Sequence, residues 1–328
     1  MRLILACAQA STLVALAQGY SFSEITTTTT APVPDSRVES TGLAINEESR
    51  IFGGSETSIN KFPSVVGLRF QTPGATNFCG GVLVAPQYVL TAAHCILEPE
   101  EIYASIGSQY GSGINDGEQI LVVKRFLHPL YNNATLTYDV GLLKLETPST
   151  QQTATLCAAD GSDNDVGTVA TILGWGKTED GTFSRMLQSV DVKIITNEEC
   201  KVQYVNYVDQ DITEEKMCAG TEKGKDACRG DSGGPLFANG VLVGIISSGG
   251  VECAANSGVY VRISHVLDTI DSIINSNGMC NQDYSGTITE GMLCAETGNG
   301  KDSCQRDSEG SPVINNELVG IISSGSYV

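Results

Sequence analysis

The residue best placed to do chemistry is Ser232, which lies in the stretch 226–235, Asp-Ala-Cys-Arg-Gly-Asp-Ser-Gly-Gly-Pro. Glycine, aspartate, serine and proline make up most of this stretch, so its composition predicts a tight, irregular turn. The apolar run 241–246 follows and is typical of a buried strand. A serine on such a turn can present its hydroxyl while nearby backbone N–H groups point at one oxygen, which a serine nucleophile requires. The alternative interpretation is an ordinary polar loop.

The order of base, acid and serine along the chain separates two kinds of serine hydrolase. The segment 230–234 fits the Gly-x-Ser-x-Gly turn of α/β-hydrolases, in which an acid and then a histidine follow the serine. After Ser232 the only histidine is His265, and no aspartate lies between them. Before Ser232 the chain offers His94, within Thr-Ala-Ala-His-Cys, and Asp139, at the start of an apolar run. The order His, Asp, Ser indicates the kind of serine hydrolase in which the base and the acid both precede the serine.

Further motifs occur in the order that one protease family shows. They are Ile51-Phe52-Gly53-Gly54, Cys79-Gly80-Gly81 and Gly174-Trp175-Gly176, together with the segments around His94, Asp139 and Ser232. From Ile51 to about Asn277 the chain resembles chymotrypsin/trypsin-type serine proteases. The resemblance implies an all-β fold of two six-stranded antiparallel β-barrels, and short apolar runs separated by turns agree with it. Apolar residues at helical spacing over 263–274 predict a closing helix with His265 on its exposed side.

The resemblance gives each candidate residue a catalytic role. Ser232 would attack the scissile carbonyl of a peptide bond, and His94 would act first as general base and then as general acid. Asp139 would orient His94, and the N–H groups of Gly230 and Ser232 would form the oxyanion hole. The implied enzyme is a serine endopeptidase that uses no cofactor and no metal.

The resemblance also outlines a pocket for the substrate side chain. Asp226 stands six residues before the serine, where trypsin-like members place the carboxylate at the pocket floor. Gly249 and Gly258 match two wall positions, and Ser247 completes the implied substrate-binding set. Because a buried carboxylate in an open slot favours a cationic side chain, we expect cleavage after Arg or Lys.

Two departures from the family pattern leave a second interpretation open. Ser248 stands where the family usually has tryptophan, and the loop 253–258 is shorter than usual. Some secreted homologues of these proteases have lost catalysis and act as inhibitors, including glucanase inhibitors from plant pathogens. Those usually lose one or more triad residues, whereas His94, Asp139 and Ser232 are all present here.

Length, charge and the N-terminal composition indicate where the protein acts. The net charge of −19 over 328 residues argues against nucleic acid and anionic membrane as partners. Residues 1–19 have the basic start, apolar core and small residues of a signal peptide, and the Thr/Ser/Pro-rich segment 20–50 is typical of a flexible pro-segment. We therefore expect a secreted, extracellular monomer. Its expected partners are protein or peptide substrates, with host proteins or protease inhibitors as further candidates.

The pro-segment ends in Arg50, immediately before Ile51. In the family this junction is cut, and the new amino group pairs with the aspartate before the nucleophile, here Asp231. A buried carboxylate needs such a partner. The sequence therefore predicts a precursor activated by cleavage between Arg50 and Ile51.

Eleven cysteines in a secreted chain predict disulfides, because the spacing lacks the close Cys/His pairs of a zinc site. The pairs that the resemblance implies are Cys79–Cys95, Cys200–Cys218 and Cys228–Cys253. Cys157 is left without an obvious partner in this region. Asn133 begins an Asn-Ala-Thr glycosylation sequon.

The tail, residues 278–328, echoes the region around the candidate nucleophile. Residues 288–295, 300–304 and 318–325 repeat 212–219, 224–228 and 242–249. In the copy Gly230 becomes Arg306 and Gly233 becomes Glu309, so the turn that depends on glycine is lost. We expect a degenerate partial repeat and not a second active site. A loosely ordered tail, a partner-binding appendage and an inaccurate gene boundary all remain open.

Overall fold

Two antiparallel β-barrels of six strands each make up most of the structure. The computed structural model describes residues 52–98, 100–207, 211–220, 224–283, 313–314 and 317–318. The all-β prediction of two six-stranded barrels and a C-terminal helix is confirmed. The predicted signal peptide, the pro-segment and most of the predicted repeat lie outside the described residues.

The first barrel closes through strands β2, β3, β4, β7, β6 and β5 in that order. Its strands are β2 (Val65–Phe70), β3 (Asn77–Ala85), β4 (Tyr88–Thr91), β5 (Ile102–Ile106), β6 (Glu118–Leu127) and β7 (Gly141–Leu145), whereas β1 (Ser55–Glu56), the first strand of the described chain, belongs to the sheet of the second barrel. Buried aliphatic side chains such as Leu68, Leu90 and Leu143 belong to the core. Burying them on folding favours the closed sheet, because apolar surface leaves water.

The second barrel closes in the order β8, β9, β10, β13, β12 and β11, and β11 pairs back with β8. Its strands are β8 (Val169–Gly174), β9 (Gln188–Ile195), β10 (Lys216–Ala219), β11 (Pro235–Ala238), β12 (Val241–Ser248) and β13 (Gly258–Arg262). Strand β1 adds to the outside edge at β9. Its core again contains buried aliphatic residues, including Ile172, Leu236 and Ile245.

Two α-helices, α1 (Asn197–Gln203) and α2 (Leu267–Asp283), accompany the barrels. Helix α1 begins with a reciprocal capping box between Thr196 and Glu199, which satisfies exposed N–H groups of its first turn. The predicted closing helix begins later than its apolar pattern suggested, because 263–265 forms a tighter 3₁₀ turn in which Val266 N–H donates to the Ile263 carbonyl. His265 is exposed, as expected. None of the described helices is long and apolar enough to cross a membrane.

Beyond α2 the structure describes one further pair of strands. These are β14 (Val313–Ile314) and β15 (Glu317–Leu318), which pair with each other in antiparallel fashion.

Disulfides link Cys79 with Cys95, Cys200 with Cys218 and Cys228 with Cys253. They are the pairs that the family resemblance implies. Each bridge restricts the unfolded chain, and a bridge of this kind contributes about 2–4 kcal/mol to stability. Cys157 is a buried free thiol.

Candidate active site

His94 and Asp139 meet in the first barrel, where β4 ends and β7 begins. His94 lies in the 3₁₀ turn Ala93–Ile96 after β4, and Asp139 lies two residues before β7. The distance between His94 Nδ1 and Asp139 Oδ2 is 2.7 Å, and the backbone N–H of His94 donates to Asp139 Oδ1 at 2.9 Å. Asp139 is fully buried. Because Nδ1 faces a carboxylate, it carries the proton in the neutral ring, and Nε2 is left as the acceptor a general base needs.

Ser232 lies on the turn between Cys228 and strand β11. Its carbonyl accepts a hydrogen bond from Gly80 N–H of β3 at 2.7 Å, which ties the turn to the first barrel. Gly233 has φ +79°, and a Cβ there would lie 2.2 Å from Thr91 Oγ1. Glycine is therefore required at this position.

Ser232 is half-buried, and no hydrogen bond within the described part of the chain joins its hydroxyl to the His94 ring. His94 Nε2 instead lies 3.6 Å from Cys95 Sγ. Catalytic hydrogen bonds are often long before substrate binds, so this arrangement is compatible with a nucleophile and its base.

The backbone around Ser232 leaves two N–H groups unused. Within the described part of the chain, the N–H groups of Gly230 and Ser232 donate to no protein acceptor, whereas those of Asp231, Gly233 and Gly234 are each hydrogen-bonded. Gly230 has φ +98°. Two free donors on a rigid turn can bind the negative oxygen of a tetrahedral intermediate.

A cavity of about 130 Å³ opens beside Ser232, and Asp226 is part of its lining. The Asp226 carboxylate faces the backbone of both predicted wall glycines: a Cβ on Gly258 would lie 2.6 Å from Oδ1, and a Cβ on Gly249 would lie 3.9 Å from Oδ2. Burial raises the pKa of Asp226 to about 7, and the charge of Asp231 adds to the rise, while the Ala227 N–H bond opposes it. A cationic side chain that enters the cavity would favour the ionised form of Asp226, because opposite charges attract. The ionised carboxylate would in turn bind the cation.

A sequence model of the family described as Trypsin matches residues 51–270 and, a second time, residues 265–328. Anionic trypsin of Canis lupus familiaris is 36% identical over 246 residues, which are 71% of this chain and 92% of its own length. Trypsin of Saccharopolyspora erythraea is 36% identical over 234 residues, 70% of this chain and its full length. The chain belongs to the trypsin family. Glucanase inhibitor protein 1 of Phytophthora sojae is also 36% identical, over 243 residues, 70% of this chain and 90% of its own length.

Asp231, the residue before the serine in this trypsin-family chain, is buried, and no cation among the described residues forms an ion pair with it. Its two carboxylate oxygens accept hydrogen bonds from Gly176 N–H at 2.7 Å and Cys228 N–H at 3.0 Å. The one ion pair within the described residues is that of His94 and Asp139. Burial raises the pKa of Asp231 to about 6. Ile51 lies outside the described residues, but the carbonyl of its neighbour Phe52 accepts the Asp226 N–H at 3.2 Å.

Ser247 was predicted to bind substrate, and the structure gives its side chain a second contact. The residue lines the cavity, and its hydroxyl donates to Asp139 Oδ2 at 2.7 Å. The sequence carries no signal for that contact, because the two residues lie 108 positions apart.

Tyr260 was not singled out from the sequence, since its strand pattern indicates only a core residue. It is fully buried, and its hydroxyl has no hydrogen-bond partner within the described residues. A Cβ on Gly258 would lie 2.8 Å from that hydroxyl, so Tyr260 stands against the same cavity wall as Asp226. The predicted sequon residue, Asn133, is exposed, and its Oδ1 accepts a hydrogen bond from Tyr131.

Proposed function

We propose that this protein is a serine endopeptidase that cleaves peptide bonds after Arg or Lys. The observation that carries the proposal is the placement of Asp226, a buried carboxylate, in the lining of a cavity that also contains Ser232. The close pair of His94 and Asp139 supports it. A carboxylate at that depth selects a long cationic side chain through a charge-assisted hydrogen bond.

The reaction follows from the positions of these groups. Ser232 Oγ attacks the scissile carbonyl carbon as its proton passes to His94 Nε2, and the carbonyl π electrons move onto the oxygen. The N–H groups of Gly230 and Ser232 hold that oxyanion. The carbon–nitrogen bond then breaks, and the leaving amine takes the proton from His94. Water repeats the sequence on the acyl-enzyme, with His94 again as base, and releases the acid.

The proposal includes a secreted precursor. Residues 1–19 would direct secretion, and cleavage between Arg50 and Ile51 would free an amino group for Asp231. The support is the buried Asp231 carboxylate, which has no cation within the described residues. Asn133 is exposed and available for glycosylation.

The experiment is to cleave the purified precursor at Arg50–Ile51 and treat it with a fluorophosphonate probe, which labels only an activated serine. We expect one labelled site, Ser232, and cleavage of test peptides only after Arg or Lys. Ser232→Ala is the matched control and should take no label. A cleaved, folded chain that neither labels nor cuts would reject the proposal.

A second function is favoured by a specific finding. Relatives named as glucanase inhibitor proteins match this chain as well as the trypsins do, at 36–37% identity. On this alternative the protein would bind a secreted glucanase and not cut peptides. Binding of the Ser232→Ala chain to a glucanase, with no labelling of the parent chain, would support the alternative over the protease.

A further inference from the structure

Lys216 places a buried positive charge at the start of strand β10. Its side chain is fully buried. The ammonium donates to the Thr135 carbonyl at 2.8 Å and to the Asp211 carbonyl at 2.7 Å. Within the described residues no carboxylate lies at ion-pair distance from it.

A cation in this position is costly, so its presence needs an explanation. An unpaired ammonium loses its hydration on burial, and two neutral carbonyl oxygens replace only part of it. An unbranched apolar side chain of the same length, such as methionine, would fill the space without that cost. The ammonium is therefore expected to act on something nearby.

The base of the side chain is held rigidly. The Lys216 backbone pairs with Val261 of β13. Its carbonyl accepts hydrogen bonds from Arg262 Nη2 and Asn197 Nδ2, both at 3.1 Å. The base of the Lys216 side chain is therefore fixed on the second barrel.

The ammonium of Lys216 donates to a loop of the first barrel. Thr135 lies in the loop 132–138, which leads directly into Asp139. Within that loop Leu136 has φ +49° and Tyr138 has φ +50°. This is a left-handed backbone conformation that residues other than glycine seldom adopt. Such a conformation persists only where surrounding contacts impose it. The Lys216 bond to Thr135 is a contact of this kind, made across 81 positions of sequence.

Carboxylates near the ammonium favour its charged form. Burial lowers the pKa of Lys216, and the negative charges of Glu215, Asp211 and Asp139 oppose that lowering. The charged ammonium is the stronger donor to the two carbonyl groups that it contacts. Arg262 is the other cation near the Lys216 backbone.

We propose that Lys216 is a positioning residue for the catalytic pair: its ammonium fixes the loop that leads into Asp139. The effect on turnover rests on the proposed function. The effect on the pair itself does not, because the hydrogen bond between His94 and Asp139 can be observed without any reaction.

The test uses the full-length Ser232→Ala chain, cleaved at Arg50–Ile51, and the low-field proton resonance of His94 Nδ1–H. Lys216→Met removes the charge at similar volume. Without the anchor Asp139 is held less firmly, so this resonance should move upfield and exchange with solvent faster. The amide protons of Asn132 and Val140, which donate to the Thr137 and Tyr138 carbonyls of the same loop, should also exchange faster.

Arg69→Met is the matched control, since Arg69 is an equally buried cation that donates to Asn77, Pro73 and Tyr110. It should lower the melting temperature and leave the His94 Nδ1–H resonance unchanged. In the catalytic chain, Lys216→Met should lower kcat about tenfold with little change in KM. An inactive parent would defeat the proposed function and leave the Nδ1–H resonance and the amide exchange as the test of Lys216.

A Lys216→Met chain that folds and keeps the parent's Nδ1–H resonance and amide exchange would overturn the proposal. If that variant does not fold, the unaltered lysine supplies the measurement. Its ammonium protons should exchange slowly with solvent, because they donate to the Thr135 and Asp211 carbonyls. Ammonium protons that exchange as fast as those of exposed lysines would also overturn the proposal.

Discussion

Ser247 and His94 contact the same oxygen of Asp139, Oδ2, each at a distance of 2.7 Å. Ser247 belongs to the second barrel and His94 to the first, so the carboxylate is held from both sides of the seam. The other oxygen, Oδ1, accepts the backbone N–H of His94 at 2.9 Å. Because both carboxylate oxygens accept hydrogen bonds, Asp139 has one orientation, and it fixes the orientation of the His94 ring.

Ser247→Ala should therefore weaken catalysis and leave substrate binding in the cavity beside Ser232 nearly unchanged. Loss of one hydrogen bond to a charged group corresponds to about 1.5 kcal/mol, or about a tenfold lower kcat. KM for an Arg ester should change little. Steady-state kinetics measure both, and Ser189→Ala in β9 is the control truncation. An unchanged kcat would mean that the bond does not orient Asp139.

Affinity for benzamidine, a small amidinium, should depend on pH through Asp226. Its pKa is raised to about 7 when the cavity is empty, and a bound cation favours the ionised form. Binding therefore releases a proton, and the affinity should rise about tenfold per pH unit below pH 7 and level off above it. Calorimetric titration at several pH values measures this. Affinity independent of pH would contradict the assignment, and Asp226→Ser should abolish both affinity and slope.

Cleavage at Arg50–Ile51 should stabilise the protein more at pH 8 than at pH 5. In the uncleaved chain burial raises the pKa of Asp231 from 3.8 to about 6. The folded chain therefore binds this proton more tightly than the unfolded chain does. The resulting contribution to the free energy of unfolding is fully present below pH 3.8 and is lost as the pH rises through 6. A new ammonium beside the carboxylate would remove that loss.

Melting temperatures of the cleaved and uncleaved Ser232→Ala chains test this. The difference in melting temperature between the cleaved and the uncleaved chain should increase as the pH rises through 6. A gap of the same size at both pH values would show that the new amino group does not pair with Asp231.

Gly233→Ala should destabilise the protein far more than Gly240→Ala. Both glycines have a left-handed φ, +79° and +84°, so the backbone cost of alanine is similar. A Cβ at 233 would collide with Thr91 Oγ1 at 2.2 Å, whereas a Cβ at 240 meets nothing within 4 Å. We expect a difference of about 2 kcal/mol or more in the free energy of unfolding, measured with denaturant. Equal losses would mean that the turn relaxes.

The order of the motifs carried the family resemblance, and the resemblance implied two six-stranded barrels. The apolar runs agreed with that fold, and the helical spacing over 263–274 predicted the closing helix. The helix boundary was less predictable, since the 3₁₀ turn at 263–265 has the same apolar spacing as a first α-helical turn. Only the hydrogen bond of Val266 to Ile263 separates the two.

The contacts between the barrels could not be predicted in this way. Ser247 reaches Asp139 because of the register of β12, and Lys216 reaches Thr135 because β10 begins beside the loop 132–138. Neither residue has a type or spacing that indicates its partner. Such contacts depend on how two sheets pack, which a local pattern does not encode.

The most direct measurement is the burst of nitrophenol from a nitrophenyl ester of guanidinobenzoic acid. Its guanidinium suits Asp226, and its acyl group stays on an attacked serine. For the chain cleaved at Arg50–Ile51 we predict a burst approaching one nitrophenol per protein molecule, and none for Ser232→Ala. A cleaved, folded chain that binds the ester competitively with benzamidine but gives no burst would contradict catalysis by Ser232, His94 and Asp139.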